Sequence, residues 1–149
     1  MSEIGRETIG RKRRSRVPAG EYLVIDQLLK HGFGAQIRGS RERILLVQAG
    51  DVEPTPVRVR TTHGMPWYLR RSTFVRNRVG EVTIFVLLGS EDKDRSARFF
   101  VTRKSDLATV LRESPTDAVF VSIDANSLGE YENNWDVLKI VPNQREERS

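Results

Sequence analysis

The sequence contains no cysteine, which excludes disulfide bonds and thiolate metal sites. Histidine is scarce too, since His31 and His63 are the two in the chain, too few for a histidine-rich metal centre. No apolar run reaches the length of a membrane span, and the first residues lack the apolar core of a secretion signal. These absences favour a cytoplasmic protein with no membrane segment.

The chain has 149 residues and a net charge of +5, and that charge is unevenly distributed. Residues 1–78 contain 16 Lys and Arg against 7 Asp and Glu, whereas residues 79–149 contain 9 against 13. A basic half favours an anionic partner, and arginine, the main cation, suits phosphate because its planar fork donates two parallel bonds. Solvated surface arginines are the alternative interpretation.

The length fits one domain with a real core, which we divide into three regions. Residues 1–18 are predicted to be a basic, flexible arm, because "RKRRSR" offers no apolar side chain to bury. The arm is a candidate for sequence-independent phosphate binding through Arg11, Lys12, Arg13 and Arg14, or else a solubilising tail. Residues 19–141 are predicted to form the folded domain, and residues 142–149 a polar tail.

The hydrophobic pattern of the central region predicts a mixed α/β fold with helices covering a central sheet. The first helix, over 21–31, should bury Leu23, Val24, Leu28 and Leu29 and end at Gly32. Ser105 is the predicted N-cap of a later helix. Strands are predicted at 35–39, 43–49, 57–62, 81–88, 97–102 and 118–123, with a terminal helix or turn over 129–141.

The stretch "PVRVRTT", from Pro56 to Thr62, reads as a strand in which every second residue is a cation. Because strand side chains alternate between faces, Arg58 and Arg60 should emerge on the same face. They are either surface residues or members of a binding site.

The order of these motifs resembles the PD-(D/E)xK nuclease superfamily, which has the restriction-endonuclease-like fold. The resemblance rests on Gly20-Glu21 opening the first helix, on "LLKHGF", and on a hairpin whose second strand ends in a basic residue and Thr-Thr. A Trp, an apolar strand, "FFV" and the terminal "YENNWDVL" extend it over about residues 19–141.

The resemblance implies a Mg²⁺-dependent phosphodiesterase site, built from two strand acids, a lysine two residues after the second acid, and a helix glutamate. Glu21 fits the helix glutamate, but Arg43 and Arg58 stand at the acid positions and Arg60 at the lysine position. A guanidinium cannot ligate a metal, so the match implies a catalytically degenerate member without a metal cofactor.

The interpretation we favour is a pseudoenzyme that binds nucleic acid or another polyanion through Arg43, Arg58 and Arg60. Family analogy implies a role in a prokaryotic defence or DNA-processing system. One alternative is an active Mg²⁺-dependent nuclease using Glu21 with Asp51 or Glu53, and Glu42 is a further residual acid. The other is a protein-interaction module without nucleic acid.

The segment "WYLRRSTFVRNR", from Trp67 to Arg78, is predicted to be a basic loop. Aromatic side chains beside phosphate-binding arginines are typical of single-strand binding. We expect Trp67 and Phe74 in the core, and we expect nucleic acid to contact the arginines of this segment, which are Arg70, Arg71, Arg76 and Arg78.

Overall fold

The computed structural model describes residues 19–39, 44–72, 80–89, 97–114, 116 and 119–139. The predicted arm over residues 1–18 and the predicted tail over residues 142–149 lie outside the described residues. Among the described residues, no helix is both long enough and apolar enough to cross a membrane.

Helices and strands follow one another in an order close to the predicted one. The helices and strands are α1 (Ala19–Lys30), β1 (Gly34–Arg38), β2 (Ile44–Gln48), β3 (Thr55–Thr62), β4 (Trp67–Arg70), β5 (Val82–Leu87), β6 (Arg98–Arg103), α2 (Lys104–Glu113) and β7 (Phe120–Ile123). Two 3₁₀ helices, Asn126–Tyr131 and Trp135–Lys139, follow β7.

Five strands of the described chain form a central mixed sheet in the order β1-β2-β3-β5-β6. β1, β2 and β3 are an antiparallel meander, β3 and β5 are parallel, and β6 runs antiparallel to β5. The parallel joint needs a crossover, because parallel neighbours cannot be joined by a tight turn. The predicted mixed α/β fold, a central sheet flanked by helices, is confirmed.

The helix α1 covers one face of this sheet. Gly20, Val24 and Leu28 recur every four residues, which puts all three on one side of the helix, and all three are buried. The aliphatic pair packs against Val57 of β3 and the inward side chains of β2 and β5, together with Trp135 of the second 3₁₀ helix. The helix ends at Lys30, and Gly32 just after it has a φ of +88°, a conformation that favours glycine.

A second core lies on the opposite face of the sheet, under α2, the first 3₁₀ helix and the strands β4 and β7. The strands β4 and β7 form a separate two-stranded antiparallel ribbon. The Trp67 ring at the start of β4 makes edge contacts with Phe85 of β5 and Phe100 of β6, at centroid distances of 5.2 and 5.9 Å. The sheet is therefore the middle layer of three.

Several local predictions are wrong for identifiable reasons. Leu29 is 60% exposed, since the buried stripe of α1 follows the four-residue spacing through Leu28. Arg103, not Ser105, is the N-cap of α2, because the Asp106 carboxylate accepts a bond from the Arg103 backbone N–H at 2.9 Å and two more from its guanidinium. Where a terminal helix or turn is predicted over 129–141, the described chain has two short 3₁₀ helices, and the first of them begins earlier, at Asn126.

Gly20 is the point at which α1 approaches β3 most closely. A Cβ at this position would overlap the Thr61 side chain, at Oγ1 in particular. Elsewhere in a helix, alanine is more favourable than glycine by up to ~1 kcal/mol, so the requirement for glycine here comes from tertiary packing.

We predict that Gly20→Ala destabilises the protein by about 1–3 kcal/mol, as expected for overpacking, although the same change would stabilise an open helix. Urea unfolding measures the effect. Gly64→Ala is the matched control, because nothing lies within 4 Å of a Cβ there. Adding Thr61→Ala should recover part of the loss, and a Gly20→Ala variant more stable than the parent would contradict this packing.

Candidate nucleic-acid interface

The two arginines of β3 lie on the sheet face opposite α1. Val57 and Val59 of β3 pack with the α1 core, so Arg58 and Arg60 between and beyond them face the other side. The register supports this, since Arg60 is paired with Phe85, a residue of the second core. The predicted shared face of Arg58 and Arg60 is therefore present in the fold.

Arg58 is held by a buried carboxylate. Its Nε donates to Glu81 Oε2 at 2.7 Å, and the exposed fractions of the two side chains are 12% and 0%. A carboxylate taken out of water needs such a partner, because an unpaired buried charge costs several kcal/mol. Arg43, Arg58 and Arg60 would repel one another if all three were unbound, which predicts an acidic neighbour. For Arg58 that neighbour is Glu81.

Glu81 was not among the candidate site residues. It immediately precedes the most apolar strand, β5, and comes next to Arg58 through the parallel pairing of β3 and β5. Sequence spacing offers little sign of this, because the two residues are 23 positions apart and their strands are not consecutive. A lone acid at the edge of the most apolar run of the sequence was the available signal.

Arg60 continues the same face toward the carboxyl end of β3. Its side chain is partly buried, and its Nε atom is shielded from solvent. Phe85, its partner in register, contacts the Trp67 ring where β4 begins. Arg60 is therefore adjacent to the two-stranded ribbon.

Glu21 is not brought together with Asp51 or Glu53. It lies in the first turn of α1, next to Gly20, which touches Thr61 near the carboxyl end of β3. Asp51 and Glu53 precede the amino end of the same strand. The eight-residue strand separates the two places by roughly 20 Å.

The remaining predicted site residues lie outside the described residues. They are Arg43 and Glu42, just before β2, the arginines Arg76 and Arg78, and the arm residues Arg11, Lys12, Arg13 and Arg14. Within the described part of the chain, no three His, Cys, Asp or Glu side chains are grouped so that they could hold a metal ion. Arg58 and Arg60 have no lone pair to offer a cation, so they do not fit the Mg²⁺ site that the resemblance implies.

Arg70 and Arg71 lie at the end of β4, in a segment predicted to be a loop. Arg70 ends the strand opposite Phe120 of β7, and its guanidinium carbon is 5.5 Å from the centre of the Phe120 ring. The Arg71 N–H donates to the Val119 carbonyl at 2.8 Å, which extends the ladder by one bond. Both arginines are exposed, and Trp67 is buried as predicted.

A second ion pair joins β6 to the end of the first 3₁₀ helix. The Arg98 guanidinium donates two bonds to the Glu132 carboxylate, at 2.9 and 3.0 Å. These bonds, with a smaller coulombic contribution, hold the pKa of Glu132 below its ordinary value and raise that of Arg98. Both side chains are about a third exposed or more, so the pair is worth less than a buried one.

Comparison with solved structures shows a likeness of fold. The structure is similar to that of Hjc, a Holliday junction resolvase from the archaeal hyperthermophile Archaeoglobus fulgidus, with a TM-score of 0.46 and 18% sequence identity. The match covers 74% of this chain and 85% of that chain. No protein-family model and no curated protein matches the sequence. The likeness is one of fold alone and assigns no activity to this chain.

We predict that Arg58→Met lowers the free energy of unfolding by about 3–5 kcal/mol, because it leaves the Glu81 carboxylate buried without this cation. Adding Glu81→Leu should recover most of the loss, since both charges are then gone. Urea unfolding of the single and double variants measures the coupling.

The matched control for that experiment is Lys30→Met, which breaks the exposed pair of Lys30 and Asp26. It should change stability by less than about 1 kcal/mol. Equal effects of Arg58→Met and Lys30→Met would show that the Arg58–Glu81 pair is not buried in solution.

We predict that the pair of Arg98 and Glu132 makes stability depend on pH. A lowered folded-state pKa means that the contribution is complete above the unfolded glutamate value of about 4.5 and is lost as the pH falls through the folded-state value. The wild type should therefore be more stable than Glu132→Gln by up to about 1 kcal/mol at pH 7, and the difference should shrink as the pH falls below that unfolded value. A difference that grows on acidification, measured by urea unfolding, would refute this linkage.

Proposed function

We propose that this chain is a catalytically degenerate member of the restriction-endonuclease-like fold that binds nucleic acid, a polyanion, through its basic side. The observation that carries the proposal is the ion pair of Arg58 with Glu81. A guanidinium occupies the strand position at which the resemblance implies an acidic metal ligand, and a buried carboxylate holds it there. Family analogy alone suggests a regulatory or specificity role in a prokaryotic defence or DNA-processing system.

The proposed contacts begin beyond Arg58. Because Glu81 offsets the charge of Arg58, we assign Arg58 mainly a structural role, which is to pair with this buried carboxylate. Arg60 follows it on the same face, and Arg70 and Arg71 end the neighbouring strand β4. We expect phosphate groups to meet Arg60, Arg70 and Arg71, since arginine forks form charge-assisted bonds with phosphate oxygens.

Arg43, Arg76, Arg78 and the arm cluster Arg11 to Arg14 remain part of the proposal as further phosphate contacts. Their contribution is non-specific, because contacts to phosphate carry no information about base sequence. A protein-interaction role, in which the basic side meets an acidic protein, is the outcome to be inferred if nucleic acid does not bind.

We predict that the full chain binds DNA and RNA oligonucleotides with an affinity that falls steeply with salt, as phosphate contacts require. Fluorescence anisotropy over a salt series measures it. Arg60→Ser should weaken binding several-fold and reduce the slope of log K against log salt by about one. Arg112→Ser, on the exposed side of α2, is the matched control and should leave both unchanged. Absence of binding at low salt would reject the proposal.

We also predict that Mg²⁺ or Mn²⁺ elicits no cleavage of DNA or RNA by the full chain. The reason is chemical: the strand positions that should hold carboxylate ligands hold guanidinium groups. Gel analysis of labelled substrates, with Glu21→Ala as the companion variant, is the measurement. Metal-dependent cutting that Glu21→Ala abolishes would favour an active nuclease instead.

A further inference from the structure

The ribbon of β4 and β7 has one buried side and one open side. The register pairs Tyr68 with Ser122 and Arg70 with Phe120. These four residues alternate with Trp67, Leu69, Val121 and Ile123, which pack in the second core, so the four point outward. We call the outward side, with Arg71 at its end, the ribbon face.

Aromatic surface is concentrated on the ribbon face. Tyr68 is 69% exposed and Phe120 40% exposed. They are diagonal neighbours across the two strands, a separation that long aromatic side chains span. The ribbon face therefore presents two aromatic rings at least partly to solvent.

The ribbon face is also positively charged. Arg70 lies over the Phe120 ring, and a cation–π contact leaves the guanidinium charge uncancelled, in contrast to an ion pair. Arg71 is exposed beside it. Neither β4 nor β7 contains an acidic residue, and Asp124, the first acid after β7, accepts bonds from the backbone N–H and hydroxyl of Ser127.

Exposed aromatic rings next to arginine forks match the chemistry of an unpaired nucleic-acid strand. Bases stack on the rings while the phosphates pair with the guanidinium groups, whereas the bases of a duplex are stacked on one another and out of reach. Self-association across a two-fold axis is disfavoured, because it would bring Arg70 and Arg71 of one copy toward those of the other.

We propose that the ribbon face is a stacking platform for single-stranded nucleic acid, with Tyr68 and Phe120 holding bases and Arg70 and Arg71 holding phosphates. This inference rests on the proposed function and specifies its ligand as unpaired DNA or RNA.

The test uses fluorescence anisotropy to compare the binding of the full chain to three labelled probes. They are oligo-dT and oligo-U of 20 nucleotides each, and a 20-base-pair DNA duplex. Single strands should bind more tightly than the duplex, and the first two probes separate a DNA partner from an RNA partner. Tyr68→Ser combined with Phe120→Ser should weaken single-strand binding roughly tenfold or more and leave duplex binding unchanged. Tyr68→Phe should retain wild-type affinity, because it keeps the ring.

The matched control is Tyr22→Ser on α1, since Tyr22 is 60% exposed but lies on the other side of the sheet. It should not alter binding. Arg70→Gln should reduce the salt slope for oligo-dT by about 0.7, the value expected for one phosphate contact to a single strand. Equal losses in Tyr22→Ser and in the ribbon variant would overturn the inference.

Photocrosslinking provides a readout that needs no substitution. Oligonucleotides carrying iodouracil, irradiated with the wild-type chain and mapped by mass spectrometry, should attach to peptides that contain Tyr68 or Phe120. Salt-dependent binding without single-strand preference, or crosslinks that all lie elsewhere, would refute the platform and leave the proposed function intact. If none of the three probes bound, both the platform and the proposed function would be rejected.

Discussion

The Glu81 carboxylate lies fully buried at the joint between β3 and β5, and it is paired with Arg58. This joint is the one parallel contact of the described central sheet, and it unites the antiparallel meander with the strands that follow. A buried carboxylate without a cation costs several kcal/mol, so the register of the joint and the identity of residue 58 depend on each other. A slip of one residue would send Arg58 into the apolar core under α1.

This pairing also constrains what the sheet face can bind. Where two carboxylates face one another across a strand pair, a divalent cation can hold them together, but here a guanidinium supplies the positive charge from within the chain. Glu81 offsets the charge of Arg58 without a ligand, and the proposed anion contacts therefore lie farther along, at Arg60 and the ribbon. Arg58, which stands where the resemblance implies an acidic metal ligand, is therefore engaged in an ion pair that stabilises the sheet.

Sequence patterns predicted the helices and strands in which apolar, buried side chains and polar, exposed side chains alternate with a regular period or form a continuous apolar run. The apolar run of β5, the alternation in β3 and the four-residue spacing in α1 each bury a recognisable set, and these elements are present. The ribbon was missed because β4 has four residues within a basic segment, and its partner β7 lies some fifty positions later. Glu81 was missed for the same reason, since the contact that gives an acid its role comes from a distant strand.

Arg58 and Arg70 differ in whether a neighbouring group neutralises their charge, and this difference determines which of them can attract an anion. At Arg58 a carboxylate cancels the charge and fixes the side chain, which favours stability over binding. At Arg70 an aromatic ring fixes the side chain and leaves the charge in place, so the group is pre-organised yet still attracts an anion. The proposed contacts with an unpaired strand are therefore placed at Arg70 and the ribbon face rather than at Arg58.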